Sequence, residues 1–168
     1  MKEIYQQSYV AFPIKEGSLL KYIRTINPNK KFAHFTVQML DQVDDDKLLQ
    51  VKDLILANGN LIANTILRPQ ELDIVGIHGK TLVLKIEKTR EIEELHKLFE
   101  DNFGITNGRQ IEFLPHISIY KDYRRSGSIK LPKNAYTINS KGSYRPENIG
   151  IYYRTEENAT ALLFSHKI

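Results

Sequence analysis

Two stretches of the sequence share a four-residue pattern whose side chains could carry out acid–base chemistry. The first, His-Phe-Thr-Val, occupies residues 34–37, and the second, His-Ile-Ser-Ile, occupies residues 116–119. Each tetrad lies in an alternating segment that predicts a β-strand, so its histidine and its hydroxyl residue project from the same face. Each strand would therefore present an imidazole and a hydroxyl to one ligand, roughly 7 Å apart.

If the two strands lie side by side, the four polar side chains meet one ligand, and this set suits cleavage of a phosphodiester without a metal. A neutral histidine removes a proton from the attacking hydroxyl or water, and a protonated histidine delivers one to the leaving oxygen. An unperturbed pKa of roughly 6.5 lets an imidazole play either part near neutrality. The predicted proton carriers are His34 and His116, and the predicted ligands of the non-bridging phosphate oxygens are Thr36 and Ser118.

Chance is a poor explanation of the repeated tetrad. Ser and Thr account for 17 of the 168 residues, so two such matches among five histidines are expected in under about 1% of comparable sequences. One tetrad alone would indicate only a partly buried strand histidine. The other three histidines are expected to be structural or solvated: His78 in a turn, His96 on a polar helix face and His166 near the C-terminus.

The elements around the tetrads predict an α+β fold with an antiparallel sheet. Apolar periodicity predicts helices over residues 18–26, 44–57 and 91–102, the second of them ended by the Asn-Gly-Asn at 58–60. Strands are predicted at 8–14, 32–40, on both sides of a turn at 78–80, at 111–121, and in three short segments near 135–139, 149–155 and 160–168. Strict alternation would place Phe32, His34, Thr36 and Gln38 on one face.

Length and composition indicate a single domain spanning residues 1–168. The net charge of +4 and the sequence pI of about 9.1 mildly favour phosphate-bearing partners. The absence of cysteine excludes disulfides, zinc–thiolate sites and thiol nucleophiles. No apolar run approaches the roughly 20 residues of a membrane helix, so we expect a cytoplasmic monomer that does not contact membranes.

No metal or cofactor is predicted. The His-Glu-x-x-His pattern and paired-carboxylate ligand spacings are absent, and the glycines form no phosphate-binding loop. The acidic run at 44–46 is explained by a helix N-terminus, whose dipole favours negative charge.

Aromatic and basic residues near the tetrads are candidates for substrate binding. Tyr120 shares the predicted face of the second tetrad, and Lys121 and Arg124 follow it, so an aromatic ring and charge would lie beside the phosphate. Tyr9, on the first strand, could stack on a base. The alternatives are a solvated basic loop and a tyrosine that only packs in the sheet.

The two tetrads, 82 residues apart, and the segment Phe-Leu-Pro-His-Ile-Ser-Ile-Tyr-Lys after a helix ending in Asp-Asn-Phe-Gly-Ile resemble the two-histidine (2H) phosphoesterase superfamily, in particular its LigT-like members. The resemblance covers Ser8 to Lys121. It implies two pseudo-symmetric α+β lobes flanking a central cleft. It also implies that the catalytic residues are His34, Thr36, His116 and Ser118, with Ser118 where threonine is frequent.

The expected function is therefore a metal-independent phosphodiesterase acting on nucleotide or oligonucleotide diesters, such as a 2′,3′-cyclic phosphate or a 2′-5′ linkage. One alternative is a viral or phage enzyme that degrades 2′-5′ oligoadenylate or cyclic-oligonucleotide immune signals. Another is an RNA-binding module without turnover. The residues after Asp122 match no pattern that would choose among these substrates.

Overall fold

The structure is a computed structural model that describes residues 3–76, 81–104, 112–121 and 142–168. His78, Arg124 and the strand predicted at 135–139 lie outside the described residues. The described helices are α1 (Gly17–Ile26), α2 (Asp45–Ala57), α3 (Gly59–Asn64) and α4 (Arg90–Phe103). The described strands are β1 (Tyr5–Pro13), β2 (His34–Val43), β3 (Pro69–Val75), β4 (Thr81–Ile86), β5 (His116–Tyr120), β6 (Asn148–Arg154) and β7 (Thr160–Lys167).

The described strands form one antiparallel sheet in the order β3-β4-β5-β2-β1-β6-β7. One group, β3, β4 and β5, meets the other, β2, β1, β6 and β7, where β5 pairs with β2. This architecture confirms the predicted α+β class, and the two strand groups correspond to the two predicted lobes. The two tetrads begin the two strands at the junction.

One face of the sheet is buried under the helices. Helical spacing on α1 gives an apolar stripe, and α4 carries a similar one, because residues three or four positions apart share a helix face. These stripes join the inward residues of the strands in one core, whose members include Val10, Phe12, Ile23, Phe35, Leu95, Phe99 and Ile117. The opposite face is left to the side chains that alternate with these, and it carries the polar members of both tetrads. Within the described ranges no helix is both long and apolar enough to cross a membrane.

The helix ends follow the sequence signals. Asp44 caps α2 by accepting a hydrogen bond from the Lys47 backbone N–H at 2.9 Å, and Gly104 ends α4 with a φ of +79°, a conformation that glycine tolerates. The prediction that 58–60 ends the second helix is confirmed, because Asn58 ends α2. A second short helix, α3, which was not predicted, follows at once and buries Ile62.

A β-bulge in β2 corrects the predicted faces of that strand. Val10 pairs with Gln38 while Ala11 pairs with Thr36, so Val37 is an extra residue without a pair on β1. The extra residue reverses the alternation beyond it. Gln38 is therefore only 5% exposed rather than on the tetrad face, whereas Met39 is 41% exposed.

Candidate active site

The register between β2 and β5 brings the two tetrads together on the face away from the helices. Phe35 pairs with Ile117, and because the pairing is antiparallel, the residues on either side of each face one another. The facing pairs are His34 with Ser118 and Thr36 with His116, all of them partly exposed. Facing Cβ atoms lie about 5 Å apart and diagonal ones about 7–8 Å, so one phosphate can contact all four side chains.

The His34 imidazole lies between two aromatic rings. Its centroid is 5.0 Å from that of Tyr9 and 4.8 Å from that of Phe32, with interplanar angles of 27° and 22°. Part of the residue remains accessible, but its Nδ1 atom is buried and has no hydrogen-bond partner in the described part of the chain. This environment is poor for a charged ring.

The surroundings of His34 keep it neutral. Burial and, to a lesser extent, the positive charges of Lys30 and Lys121 lower its pKa from 6.5 to about 3, with a smaller contribution from His116. The Phe32 backbone opposes this by raising the pKa of His34. In the absence of an anion, His34 is therefore a neutral base throughout the physiological pH range.

His116 is held by a different contact. Its Nδ1 atom lies 2.7 Å from the Leu114 carbonyl oxygen, which can only accept, so Nδ1 carries a hydrogen. The approach to β5 is fixed by the Pro115 carbonyl, which accepts from the Ile86 N–H at 2.9 Å. The Nε2 atom of His116 is thereby the ring nitrogen left to exchange a proton with a ligand.

An aromatic cluster supports His34 from the neighbouring strands. Tyr152 of β6 stacks on Tyr9 at 5.8 Å and lies 5.0 Å from Phe32, and it is 5% exposed. A Cβ at Gly150 would lie 2.7 Å from the Tyr152 ring, so only glycine lets the ring fold back over the strand. Sequence reasoning placed Phe32 on the tetrad face without giving it a role, and it did not identify Tyr152. The sequence signal for Tyr152 was a glycine two residues before a tyrosine on one strand face.

The residues predicted to bind substrate are placed differently from one another. Tyr9 is 8% exposed and packs against His34, so most of its ring is already covered. Tyr120 is half-buried, packs against the main core and donates a hydrogen bond from its hydroxyl to the Ile26 carbonyl at 3.1 Å. Lys121 is exposed, and its charge reaches His34. Base stacking by either tyrosine stays a prediction.

His96 is a structural residue, and it connects the approaches to both tetrads. Its Nδ1 atom lies 2.9 Å from the Val37 carbonyl oxygen at the β2 bulge, and its ring stacks on Phe113 at 3.7 Å and 7°. Val37 ends the first tetrad, and Phe113 lies three residues before His116. These contacts agree with the expected structural role, and the residue remains partly exposed.

Replacing His96 should destabilise the fold in graded steps. We expect His96→Ala to lower the free energy of unfolding by about 1–3 kcal/mol, because it leaves the Val37 carbonyl without its donor and removes the ring contact. His96→Asn, which keeps a donor, and His96→Phe, which keeps the ring, should each lose less. Urea denaturation of the three variants measures the order, and equal stability of His96→Ala and wild type would contradict it.

Metal-binding side chains do not cluster in the residues described: none of their His, Asp and Glu side chains form a group of three or more that could hold an ion. The sequence-based expectation of a metal-free site stays a prediction, which turnover in the presence of a chelator can test.

Comparison with known proteins adds a likeness of fold. No family model and no curated protein sequence matches this chain. Solved structures do match over nearly the whole length. LigT of E. coli complexed with phosphate is 16% identical, with 99% of each chain covered and a TM-score of 0.62. The protein TT0787 of Thermus thermophilus is 14% identical, with 96% of this chain and 97% of that chain covered and a TM-score of 0.66. A protein described as a phosphoesterase is 15% identical, with 97% of this chain and 98% of that chain covered and a TM-score of 0.61.

These likenesses extend beyond Lys121, the last residue of the sequence resemblance, to nearly the full chain. They agree with the fold that the paired tetrads implied. From sequence, register and comparison together, this chain has a LigT-like fold.

Proposed function

We propose that this chain is a phosphodiesterase that cleaves nucleotide or oligonucleotide phosphodiesters by acid–base catalysis with two histidines. The observation that carries the proposal is the β2–β5 register, which places two imidazoles and two hydroxyls on one face within reach of one phosphate. The likeness to a LigT structure that holds phosphate, and to a phosphoesterase, supports a phosphate ester as the substrate. Suitable diesters are 2′,3′-cyclic phosphates and 2′-5′ linkages.

The two environments favour different roles for the histidines. His34, neutral because of burial and nearby cations, is assigned as the general base that takes a proton from water. The water oxygen then bonds to phosphorus while the bond from phosphorus to the leaving oxygen breaks. His116, whose Nδ1–H is held by the Leu114 carbonyl, is assigned as the acid that donates its Nε2 proton to that leaving oxygen. Proton exchange with solvent restores both rings.

Thr36 and Ser118 are assigned to the non-bridging phosphate oxygens. Each faces the histidine of the other tetrad across the strand pair, so each hydroxyl can donate to the same phosphate as that histidine. Charge builds on these oxygens as the new bond forms, and donors already in place stabilise it.

Removing either hydroxyl should lower the rate moderately. We expect Thr36→Ala and Ser118→Ala each to reduce kcat/KM by about 5- to 150-fold, since a hydrogen bond to a charged group contributes about 1–3 kcal/mol. Thr36→Ser and Ser118→Thr keep the donor and serve as matched controls that should retain most activity. Full activity in both alanine variants would show that the hydroxyls only pack.

The proposed function is tested by turnover of three diesters in excess EDTA: 2′,3′-cyclic AMP, a 2′-5′ oligoadenylate and a cyclic dinucleotide. Turnover of at least one is expected, and the preferred one separates a general RNA-processing activity from degradation of signalling nucleotides. Activity that is lost in EDTA and restored by a divalent ion would contradict the metal-independent mechanism. RNA binding without turnover of any diester would favour the non-catalytic alternative.

A further inference from the structure

Three cationic side chains border the aromatic cluster beside His34. Lys30 lies two residues before Phe32, whose ring stacks on His34. Lys121 follows β5, and continuation of the β2–β5 register places it opposite the residues that precede His34. These two cations therefore lie on the His34 side of the site, and both lower the pKa of His34.

The third cation, Arg154, is the last residue of β6. It lies two residues after Tyr152 on β6, hence on the same strand face, and pairs with Thr160 of β7. The Thr160 hydroxyl is 3.5 Å from the Tyr9 hydroxyl, and burial raises the pKa of Tyr9 while the charge of Arg154 opposes that rise. Arg154 thus lies near the end of the aromatic cluster where the Tyr9 hydroxyl lies.

The three cations repel one another and have no acidic partner in the described part of the chain. The ion pairs that the described residues form involve other basic residues, which lie on β4, on α4 and in the segments just before β3 and just after β4. Burial lowers the pKa of Lys30 to about 8, and the charges of Lys121 and Arg154 contribute. Lys121 is exposed as a residue, but partial desolvation of its ammonium group and, second, the charge of Arg154 lower its pKa. An anion placed among them would remove this repulsion.

One reacting diester does not account for all three cations. The diester carries a single negative charge and already has two hydroxyl donors and the acid histidine. The charges of Lys30 and Lys121 lower the pKa of His34, whereas the charge of Arg154 lowers the pKa of the two lysines and of Tyr9. The positive charge therefore extends away from the reacting position. Such an extension fits a second phosphate on the same substrate.

We propose that Lys30, Lys121 and Arg154 bind a second phosphate group of the substrate, so that the preferred substrate is a phosphodiester carrying a further phosphate beyond the scissile one. The proposal rests on the proposed function for the identity of the scissile group. It extends that function by assigning a substrate class, an oligonucleotide or a nucleotide with an additional phosphate, to residues outside the tetrads.

The test compares three substrates that end in the same adenosine 2′,3′-cyclic phosphate: the mononucleotide, its 5′-monophosphate, and a dinucleotide joined through the 5′ oxygen. Wild type should show at least tenfold higher kcat/KM for one or both extended substrates, mainly through KM. The 5′-monophosphate arm distinguishes a terminal phosphate from an internucleotide linkage. Arg154→Gln and Lys30→Gln should reduce this preference by about tenfold each, and Lys97→Gln, an exposed cation on α4, should not change it. Equal losses on all three substrates, or an unchanged preference, would overturn the proposal.

A binding measurement separates failure of this inference from failure of the proposed function. By calorimetry, wild type should bind adenosine 3′,5′-bisphosphate at least tenfold more tightly than 3′-AMP, and Arg154→Gln should remove most of that difference. The result does not require turnover, so it holds even if no diester is cleaved. Equal binding of the two ligands by wild type would overturn the second phosphate site whatever the catalytic result.

Discussion

Replacing either tetrad histidine by alanine should lower kcat by roughly 10²- to 10⁴-fold, because each change removes one of the two proton carriers. His34→Ala removes the ring that is held neutral between Tyr9 and Phe32, so no base takes the proton from water. His116→Ala removes the ring that Leu114 positions, so the leaving oxygen departs without a proton. Steady-state turnover of the best diester measures both effects.

Two controls separate lost chemistry from lost structure. His166→Ala changes a histidine on β7, outside the tetrads, and should retain activity. His34→Gln keeps a polar side chain in the aromatic cluster and should melt within a few degrees of wild type while losing activity. Near-normal turnover by either tetrad alanine variant would rule out the two-histidine mechanism.

The second large effect is on pH dependence. The acid limb of kcat/KM reports protonation of the base in the free enzyme, and burial and nearby cations lower the pKa of His34 to about 3. The acid limb of kcat/KM should therefore lie below pH 5, whereas a base with an unperturbed pKa of roughly 6.5 would make kcat/KM fall about thirtyfold on that limb by pH 5. A bound phosphate favours the charged ring, so the acid limb of kcat should lie at higher pH.

Nuclear magnetic resonance can test the same property without turnover. The ring C–H signal of His34, assigned by its loss in His34→Gln, should not titrate between pH 8 and 5 in the free protein. Saturating 3′-AMP should move the titration toward neutrality, because its phosphate offsets the charges of Lys30 and Lys121. If the protonation of one tetrad histidine affects that of the other, the fitted pKa values describe the pair rather than either histidine. Titration of the free ring near pH 6.5 would contradict the assigned environment.

Local signals predicted most of the fold. Asp44, Gly104 and the apolar stripes of the helices act within a few residues of themselves, so their consequences can be read directly from sequence. The bulge at Val37 could not be read in this way, because it depends on how β1 and β2 pair across the sheet. Its result, the burial of Gln38 in place of the predicted exposure on the tetrad face, shows the limit of strict alternation.

The four polar tetrad residues could likewise be predicted, because a repeated spacing on predicted strands can be recognised in the sequence itself. The residues around them could not. Tyr152 and Arg154 lie on β6 and Lys30 lies in the loop before β2, and only strand order brings β6 to β1 and that loop to the end of β5. Single tyrosines and basic residues carry no spacing signal, so their association with His34 required the folded chain.

A double-mutant cycle tests the central claim, that the two tetrads form one catalytic unit, most directly. Single-turnover rates of wild type, His34→Ala, His116→Ala and the double variant are compared on the preferred diester. When two residues act in the same step, removing the second lowers the rate little once the first is gone. The double variant should therefore be about as slow as the slower single variant. A double variant whose loss equals the product of the two single losses would mean that the histidines act independently and would contradict this account.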